Sequence, residues 1–192
     1  MAFIANEKKP KERKELEEKG FKQEIFEEDY VPQRLWIAAP ENDEEPQPMD
    51  LPGTPYGPEW EPTGSHVAMT LAPTPFVDDF YMRRRLHVFD AEDGSIVSSF
   101  QNPGKIGAYK WSPDGSKLAV ISGIDINDPA EGRLMIATPS DGLLNDILPN
   151  FLGHVSDIAW QDDTTVMFMA EEGVWTTFKE LGADGRNAKT HV

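Results

Sequence analysis

The sequence contains no cysteine, which excludes disulfide bonds, thiolate metal sites and a cysteine nucleophile. Basic residues are also scarce: 18 Lys and Arg stand against 34 Asp and Glu, which gives a formal net charge of -16 at pH 7. Nucleic-acid binding depends on Lys and Arg that neutralise phosphates, so we expect no nucleic-acid partner. No apolar run approaches the ~20 residues of a membrane span. We therefore expect a soluble chain without a membrane partner, in the cytoplasm or the periplasm.

Catalytic and metal-binding motifs are missing as well. None of the nine serines lies in Gly-x-Ser-x-Gly, the sharp elbow that an α/β-hydrolase nucleophile requires. The four histidines form no His-x-x-x-His or Glu-x-x-His pair, so a zinc site has little support. The segment Asp125-Ile-Asn-Asp128 lacks the glycine and the distant glutamate of a calcium loop. We expect no catalytic residue, no metal and no cofactor in this chain.

What the sequence does contain is a repeat of about 50 residues. Its first signature is a Trp, a polar turn and then an apolar run, and it occurs at Trp60, Trp111 and, with a shortened turn, Trp160. A second signature, Arg-Leu followed by alternating apolar residues, begins at Arg34, Arg85 and Arg133. Both signatures have the same spacing, so they belong to one repeated unit.

Each unit predicts four short antiparallel strands. Pro-Asp-Gly and Asp-Gly turns separate the apolar runs, and such turns join adjacent strands in hairpins. Repetition of this unit predicts an all-β fold, a partial β-propeller of about 3.75 four-stranded antiparallel blades. We place the blades in one domain, roughly at 1–52, 53–102, 103–150 and 151–192, and the first blade lacks its first strand. Trp and Met residues at strand positions are expected to pack in the core.

Two insertions interrupt the pattern, at 7–30 in the first blade and 71–82 in the second. Residues 7–19 are almost entirely charged and compatible with a helix, so we expect a solvated arm there. This is the one appreciable helix that we expect. The second insertion contains Phe76, Phe80 and Tyr81, which is too apolar for a plain linker, and we expect it to pack on something.

Several segments resemble known propellers. The run Trp-Ser-Pro-Asp-Gly-Ser-Lys-Leu-Ala-Val at 111–120 resembles the WD-like repeat shared by the Tol-system propeller and the prolyl oligopeptidase family of serine peptidases. The N-terminal Ala-Phe-Ile-Ala, the segment 26–36 and the insertion at 76–85 are similar to acylaminoacyl-peptidase and dipeptidyl-aminopeptidase relatives. The resemblance implies a non-catalytic domain that caps an α/β-hydrolase domain and restricts the substrate to short peptides. Family members have seven or eight blades followed by the hydrolase domain, so we expect a fragment.

Two clusters are candidates for substrate binding. Arg83 and Arg84 could bind a carboxylate, because guanidinium groups do so bidentately. We favour simple charge pairing with Asp78, Asp79 or Glu92, and strand alternation would send Arg84 to the face opposite its neighbours.

The acidic residues Glu27 and Glu28 form the second candidate cluster. The resemblance implies that they could hold the free amino terminus of a peptide. An acidic surface run without such a role is the alternative.

Two functions thus remain open from the sequence. The first is a substrate-gating propeller segment that packs on an α/β-hydrolase domain, with peptides as substrates of the whole enzyme. The second is an independent interaction module like the Tol-system propeller, which binds a protein partner. In either case the incomplete first blade predicts a homo-oligomer, most simply a two-fold dimer, with contacts near Ala2–Ala5 and Val166–Phe178.

Overall fold

The computed structural model of the chain describes residues 1–27, 29–39, 41 and 45–191. These residues form fifteen strands and two short helices. The first blade contains β1 Ala2–Asn6, β2 Gln33–Ile37 and β3 Gln47–Pro48, and the second contains β4 Thr54–Trp60, β5 His66–Ala72, β6 Arg85–Asp90 and β7 Ile96–Ser99. The third blade contains β8 Ile106–Trp111, β9 Leu118–Ser122, β10 Arg133–Thr138 and β11 Leu143–Asp146, and the fourth contains β12 His154–Trp160, β13 Thr165–Glu172, β14 Trp175–Gly182 and β15 Lys189–Thr190.

Each blade is an antiparallel sheet in which neighbouring strands follow one another along the chain. Three sheets have four strands, and the first has three, in the order β1, β2, β3. The predicted all-β partial propeller of four-stranded blades is confirmed. In the part of the chain that the structure describes, no strand pairs with the open side of β1, where a fourth strand would complete the blade.

The repeated turn between the first two strands of a blade is built from local hydrogen bonds. In the third blade Asp114 accepts the amide of Ser116 at 3.0 Å and the hydroxyl of Ser112 at 2.6 Å. These bonds, with that of Ser112 first, lower the pKa of Asp114 to about 2. Gly115 closes the turn with φ +72°, a conformation that side chains disfavour. The sequence motif therefore folds locally into a hairpin.

Apolar cores lie between successive blades. Leu35, Leu86 and Leu134 occupy equivalent positions on the third strand of the first, second and third blades, and each is buried against the next blade. The apolar faces of the sheets meet in the same way at all three interfaces. Each blade is therefore stabilised mainly by packing against the blades beside it.

Hydrogen bonds from the repeated tryptophans cross the same interfaces. Trp111 Nε1 donates to the carbonyl of Glu59 at 3.0 Å, and Trp160 Nε1 donates to the carbonyl of Lys110 at 2.9 Å. In both cases the acceptor precedes the tryptophan of the previous blade by one residue. We call this series the tryptophan ladder. It fixes the first strands of the third and fourth blades, each against the first strand of the preceding blade.

The helices are α1 Lys11–Glu18 and α2 Val77–Met82. The first lies inside the polar segment at 7–19 and buries no residue, as expected for a solvated arm. The second was not predicted. Among the described residues no helix is long and apolar enough to cross a membrane, and no group of three His, Asp or Glu side chains is placed to hold a metal ion.

The prediction that strand tryptophans and methionines pack in the core holds for Trp160 but is wrong for Met169 and Trp175 of the last blade. Trp111 and Met135 are buried, but Trp175 and Met169 are exposed. Trp175 opens β14 beside a tight turn, and Met169 lies on the side of β13 that no other described blade covers. The sequence pattern marks a strand but does not say which of its faces meets another sheet.

Candidate functional site

One face of the propeller segment carries its longest loops. The connections between the second and third strands of the four blades are residues 7–32, 73–84, 123–132 and 173–174. Because the blades stack with equivalent strand directions, all four connections leave the same face. The two longest belong to neighbouring blades, so the two insertions lie side by side.

The first insertion folds back on α1. The Asp29 carboxylate accepts the amide of Ile25 at 2.9 Å and lies 3.3 Å from Nη1 of Arg13. Arg13 also donates to the backbone carbonyl of Gln23. The segment between α1 and β2 is therefore tied to the helix at both ends.

The second insertion is anchored through aromatic rings and Arg84. Phe80 of α2 makes an edge-on contact with Tyr56 at a centroid distance of 4.8 Å, and the Arg84 guanidinium lies 4.1 Å from the Phe80 centroid. Arg84 donates to the carbonyl of Phe80 at 2.7 Å and to that of Ile106 at 3.0 Å. Burial lowers the pKa of Arg84 and raises that of Tyr56. Arg84 thus connects the insertion to the first strand of the third blade.

A groove with a volume of about 360 Å³ opens between the two insertions. Phe26 is its most prominent apolar group, with 78% of its surface exposed. An adjoining depression of 200 Å³ extends the groove toward α1 and shares Glu24, Asp29 and Tyr30 with it. The groove is lined by Glu24, Ile25, Phe26, Glu27, Asp29, Tyr30, Pro75, Phe76 and Val77.

Acidic side chains set the charge of the groove. Asp29 pairs with Arg13, whereas within the described ranges the carboxylates of Glu24 and Glu27 form no ion pair. The cations of the adjoining depression, Lys9 and Arg13, both pair with Glu17. Glu27 lies in a turn with φ 61°, an uncommon conformation for a residue other than glycine. The groove therefore combines exposed aromatic and aliphatic surface with two carboxylates that are available to a cation.

Of the predicted site residues that the structure describes, Glu27 lies in the groove, and Arg83 and Arg84 do not line it. Glu27 lines the groove, and Glu28 lies outside the described residues. Arg83 Nη1 lies 3.3 Å from Asp79 Oδ1, which is the charge pairing that we favoured. The argument from strand alternation does not apply to Arg84, because β6 begins only at Arg85 and Arg84 belongs to the connection after α2.

Sequence reasoning did not find Glu24, Phe26, Phe76 and Val77 as site residues. A signal for them existed, since insertions at the same point of neighbouring repeats must lie next to each other. The apolar residues of 71–82 and the acidic residues of 24–29 are then the expected lining of one groove.

A hydrogen bond between Ser99 and His87 joins two residue types that occur in catalytic triads. Ser99 Oγ and His87 Nδ1 are 2.9 Å apart, and the two residues are directly opposed across β6 and β7. Among the described residues no carboxylate hydrogen-bonds to His87 to complete a triad, and burial lowers the pKa of the imidazole. The pair is a cross-strand contact of the second blade.

Comparisons with known proteins identify the fold. No family model matches the chain, and no curated protein matches it in sequence. TolB from Acinetobacter baumannii superposes with a TM-score of 0.54 at 16% identity, over 82% of this chain and 37% of that protein. Puromycin hydrolase gives 0.56 at 16% identity over 83% and 24%, and the tricorn protease gives 0.57 at 9% identity over 79% and 16%.

The chain therefore spans well under half the length of these three proteins. At such identities the likeness shows the fold: the chain is a β-propeller segment of the kind found in a TolB protein and in hydrolases.

Proposed function

We propose that this chain is a non-catalytic propeller segment of a prolyl oligopeptidase-type serine hydrolase, which admits short peptides and packs on an α/β-hydrolase domain. The sequence supports this through its resemblance to that family and through the absence of Gly-x-Ser-x-Gly. The fold of the described residues is compatible with it. The substrate-binding part of the proposal rests on one observation, the groove between the two insertions.

The groove suits the free amino terminus of a peptide. Its carboxylates, Glu24 and Glu27, lie beside exposed Phe26 and Val77, so a cationic amine and an apolar first side chain would be bound together. The net charge of -16 adds a long-range attraction for cations. Glu27 is the predicted residue that this proposal retains, and Arg83 and Arg84 position the second insertion.

A binding assay with two peptides tests the proposal. A short peptide with an apolar first residue, labelled at its C-terminus, is titrated with the protein and followed by fluorescence anisotropy, and its N-acetylated form is the comparison. Two partly exposed ion pairs of about 0.5 to 1 kcal/mol each predict about tenfold weaker binding of the acetylated peptide. The double variant Glu24→Gln, Glu27→Gln should bind both peptides equally.

Glu92→Gln is the matched control. Glu92 is exposed in the turn between β6 and β7, at the opposite face of the propeller segment, and the change replaces one carboxylate with an amide, as each substitution of the double variant does. Its affinity ratio should equal that of the wild type. Equal binding of the two peptides to the wild type would refute amino-terminus recognition.

The alternative is an interaction module like the Tol-system propeller. It is supported by the exposed Phe26 and Val77 at the rim of the groove, which a folded partner could cover. A module of this kind would bind an internal segment of its partner. Acetylation would then have no effect, while Phe26→Ala would still weaken binding.

A further inference from the structure

One wall of the groove is a short stretch of the first insertion. Its residues 24–27 supply the carboxylates of Glu24 and Glu27 and the exposed ring of Phe26, and we call this stretch the lip. Glu27 has φ 61°, and the lip belongs to no helix or strand. Its position therefore depends on what holds its two ends.

Hydrophobic burial does not hold the lip on α1. The helix buries no residue, and Ile25 and Phe26 of the lip are 54% and 78% exposed. The root of the insertion is closed by a backbone hydrogen bond from Glu7 to Pro32 at 2.8 Å, but this bond does not involve the lip. Polar contacts with α1 therefore have the larger part in placing the two carboxylates.

Arg13 makes these contacts at both ends of the lip. Its guanidinium donates to the carbonyl of Gln23, directly before the lip, and its Nη1 lies 3.3 Å from the carboxylate of Asp29, which follows the lip. Among the described residues no other side chain of α1 pairs with either end. Glu17, 3.4 Å from Nε of Arg13, holds the guanidinium from within the helix. Three acceptors on one planar group fix its orientation more firmly than a single ion pair would.

Asp29 passes this restraint to the lip. Its carboxylate accepts the amide of Ile25 at 2.9 Å, and its own amide donates to the carbonyl of Ile25 at 3.1 Å. The two hydrogen bonds close a loop around Phe26 and Glu27. Without Arg13 the carboxylate of Asp29 would turn to solvent and release the amide of Ile25, so the cation keeps the loop in the form that presents Glu27 to the groove.

From these contacts we propose that Arg13 is a positioning residue of the groove, which holds the lip so that Glu24 and Glu27 bind one amine together. The inference rests on the proposed recognition of a peptide amino terminus. Charge alone gives Arg13 the opposite effect, because a cation beside two carboxylates repels an incoming ammonium group. Its removal would then strengthen binding, so position and charge predict changes of opposite sign.

The anisotropy assay with the free and the N-acetylated peptide measures this sign. Arg13→Gln should lower the ratio of the two affinities from about tenfold to about threefold or less, as if one of two ion pairs were lost. Lys11→Gln is the matched control, because it removes the same charge from the same helix at a side chain that is 90% exposed and pairs with Glu15 at 3.7 Å. Its ratio should be at least that of the wild type.

The outcomes separate this inference from the proposed function. A ratio for Arg13→Gln that equals or exceeds that of Lys11→Gln would refute the positioning role. A wild type without any preference for the free amine would contradict the proposed function, and hydrogen exchange then decides whether Arg13 holds the lip.

Hydrogen exchange observes the lip without a peptide. Asp29 protects the amide of Ile25 in the wild type, and Arg13→Gln should exchange this amide at least threefold faster, whereas Lys11→Gln should not. The urea midpoint should be the same in all three proteins, since α1 buries no residue, so general unfolding would not account for the change. Unchanged exchange at Ile25 in Arg13→Gln would overturn the proposal.

A cross-link tests position without charge. The chain contains no cysteine, so the double variant Arg13→Cys, Asp29→Cys carries the only thiols, and it loses one charge of each sign. Before linkage its affinity ratio should be about threefold or less, as for Arg13→Gln. A short bismaleimide, applied at submicromolar protein so that it joins thiols of one chain, should restore most of the wild-type ratio. A linked protein that is no more selective than the unlinked one would contradict the proposal.

Discussion

Leu134 and Phe178 provide a test of how blade packing stabilises the chain. They occupy equivalent positions on the third strands of the third and fourth blades, opposite Ile121 and Met169. Leu134 is 0% exposed and belongs to the core between these blades, whereas Phe178 is 37% exposed. Two single variants, Leu134→Ala and Phe178→Ala, therefore compare equivalent positions in a blade that a neighbouring blade covers and in a blade that none of the described blades covers.

The two alanine substitutions should lower the free energy of unfolding by amounts that differ severalfold. Leu134→Ala removes buried methyl groups and leaves a cavity, which lowers the free energy of unfolding by about 2 to 5 kcal/mol. Phe178→Ala removes a ring that solvent already reaches, and should cost about 1 kcal/mol or less. With a urea m-value of about 2 kcal/mol/M, the midpoint of Leu134→Ala falls by about 1 to 2.5 M, and that of Phe178→Ala by less than about 0.5 M.

Urea titration at submicromolar protein, followed by tryptophan fluorescence, measures both midpoints. The low concentration keeps the open face of the last blade uncovered by a second copy, so that Phe178 is compared as a surface residue. Equal midpoint shifts for the two variants would refute the reasoning, because they would mean that the fourth blade does not bury Leu134.

Four further variants test the tryptophan ladder, the turns and the response to acid. Trp111→Phe removes the donor to the Glu59 carbonyl at 3.0 Å and should lower the free energy of unfolding by about 1 to 2 kcal/mol in the same titration. Gly115→Ala should cost more than Gly173→Ala: both residues have positive φ, but a Cβ at Gly115 would lie 2.7 Å from a glutamate oxygen of the neighbouring blade, and nothing lies within 4 Å at Gly173. Burial lowers the pKa of His87, so the unfolded chain binds its proton first, and stability contributed by the neutral imidazole is lost as pH falls below the unfolded value of about 6.5. His87→Gln should reduce the fall of the urea midpoint between pH 8 and pH 5, and an unchanged slope would contradict this assignment.

The strands were predictable because their signals are local and repeated. Trp111, the Pro-Asp-Gly turn and the apolar run from Leu118 form one hairpin, and its recurrence specified the blade. The helix α2 was not predictable in this way. It has six residues, fewer than two turns, so no helical period shows in the sequence, and Phe80 holds it through contact with Tyr56 on another strand.

The groove illustrates a second limit of sequence reasoning. Glu27 could be singled out by charge, but Phe26 and Val77 become neighbours only through the stacking of two blades. Likewise Arg84 belongs to a run of three arginines, and its neighbours in the chain do not reveal where α2 ends. Contacts within one repeat follow from the sequence, whereas contacts between insertions require the arrangement of the repeats.

The tryptophan ladder has a consequence for how the length of the array is determined. Each of these indoles positions its blade only against the preceding one. Trp160 donates to the carbonyl of Lys110, and Trp111 donates to the carbonyl of Glu59. The angle between blades is therefore set by each pair of neighbouring blades, and no single blade determines how many blades the propeller has. Excision of residues 103–150 would bring Trp160 to the carbonyl of Glu59, the acceptor that Trp111 now uses. The shortened chain should keep the same angle between its neighbouring blades.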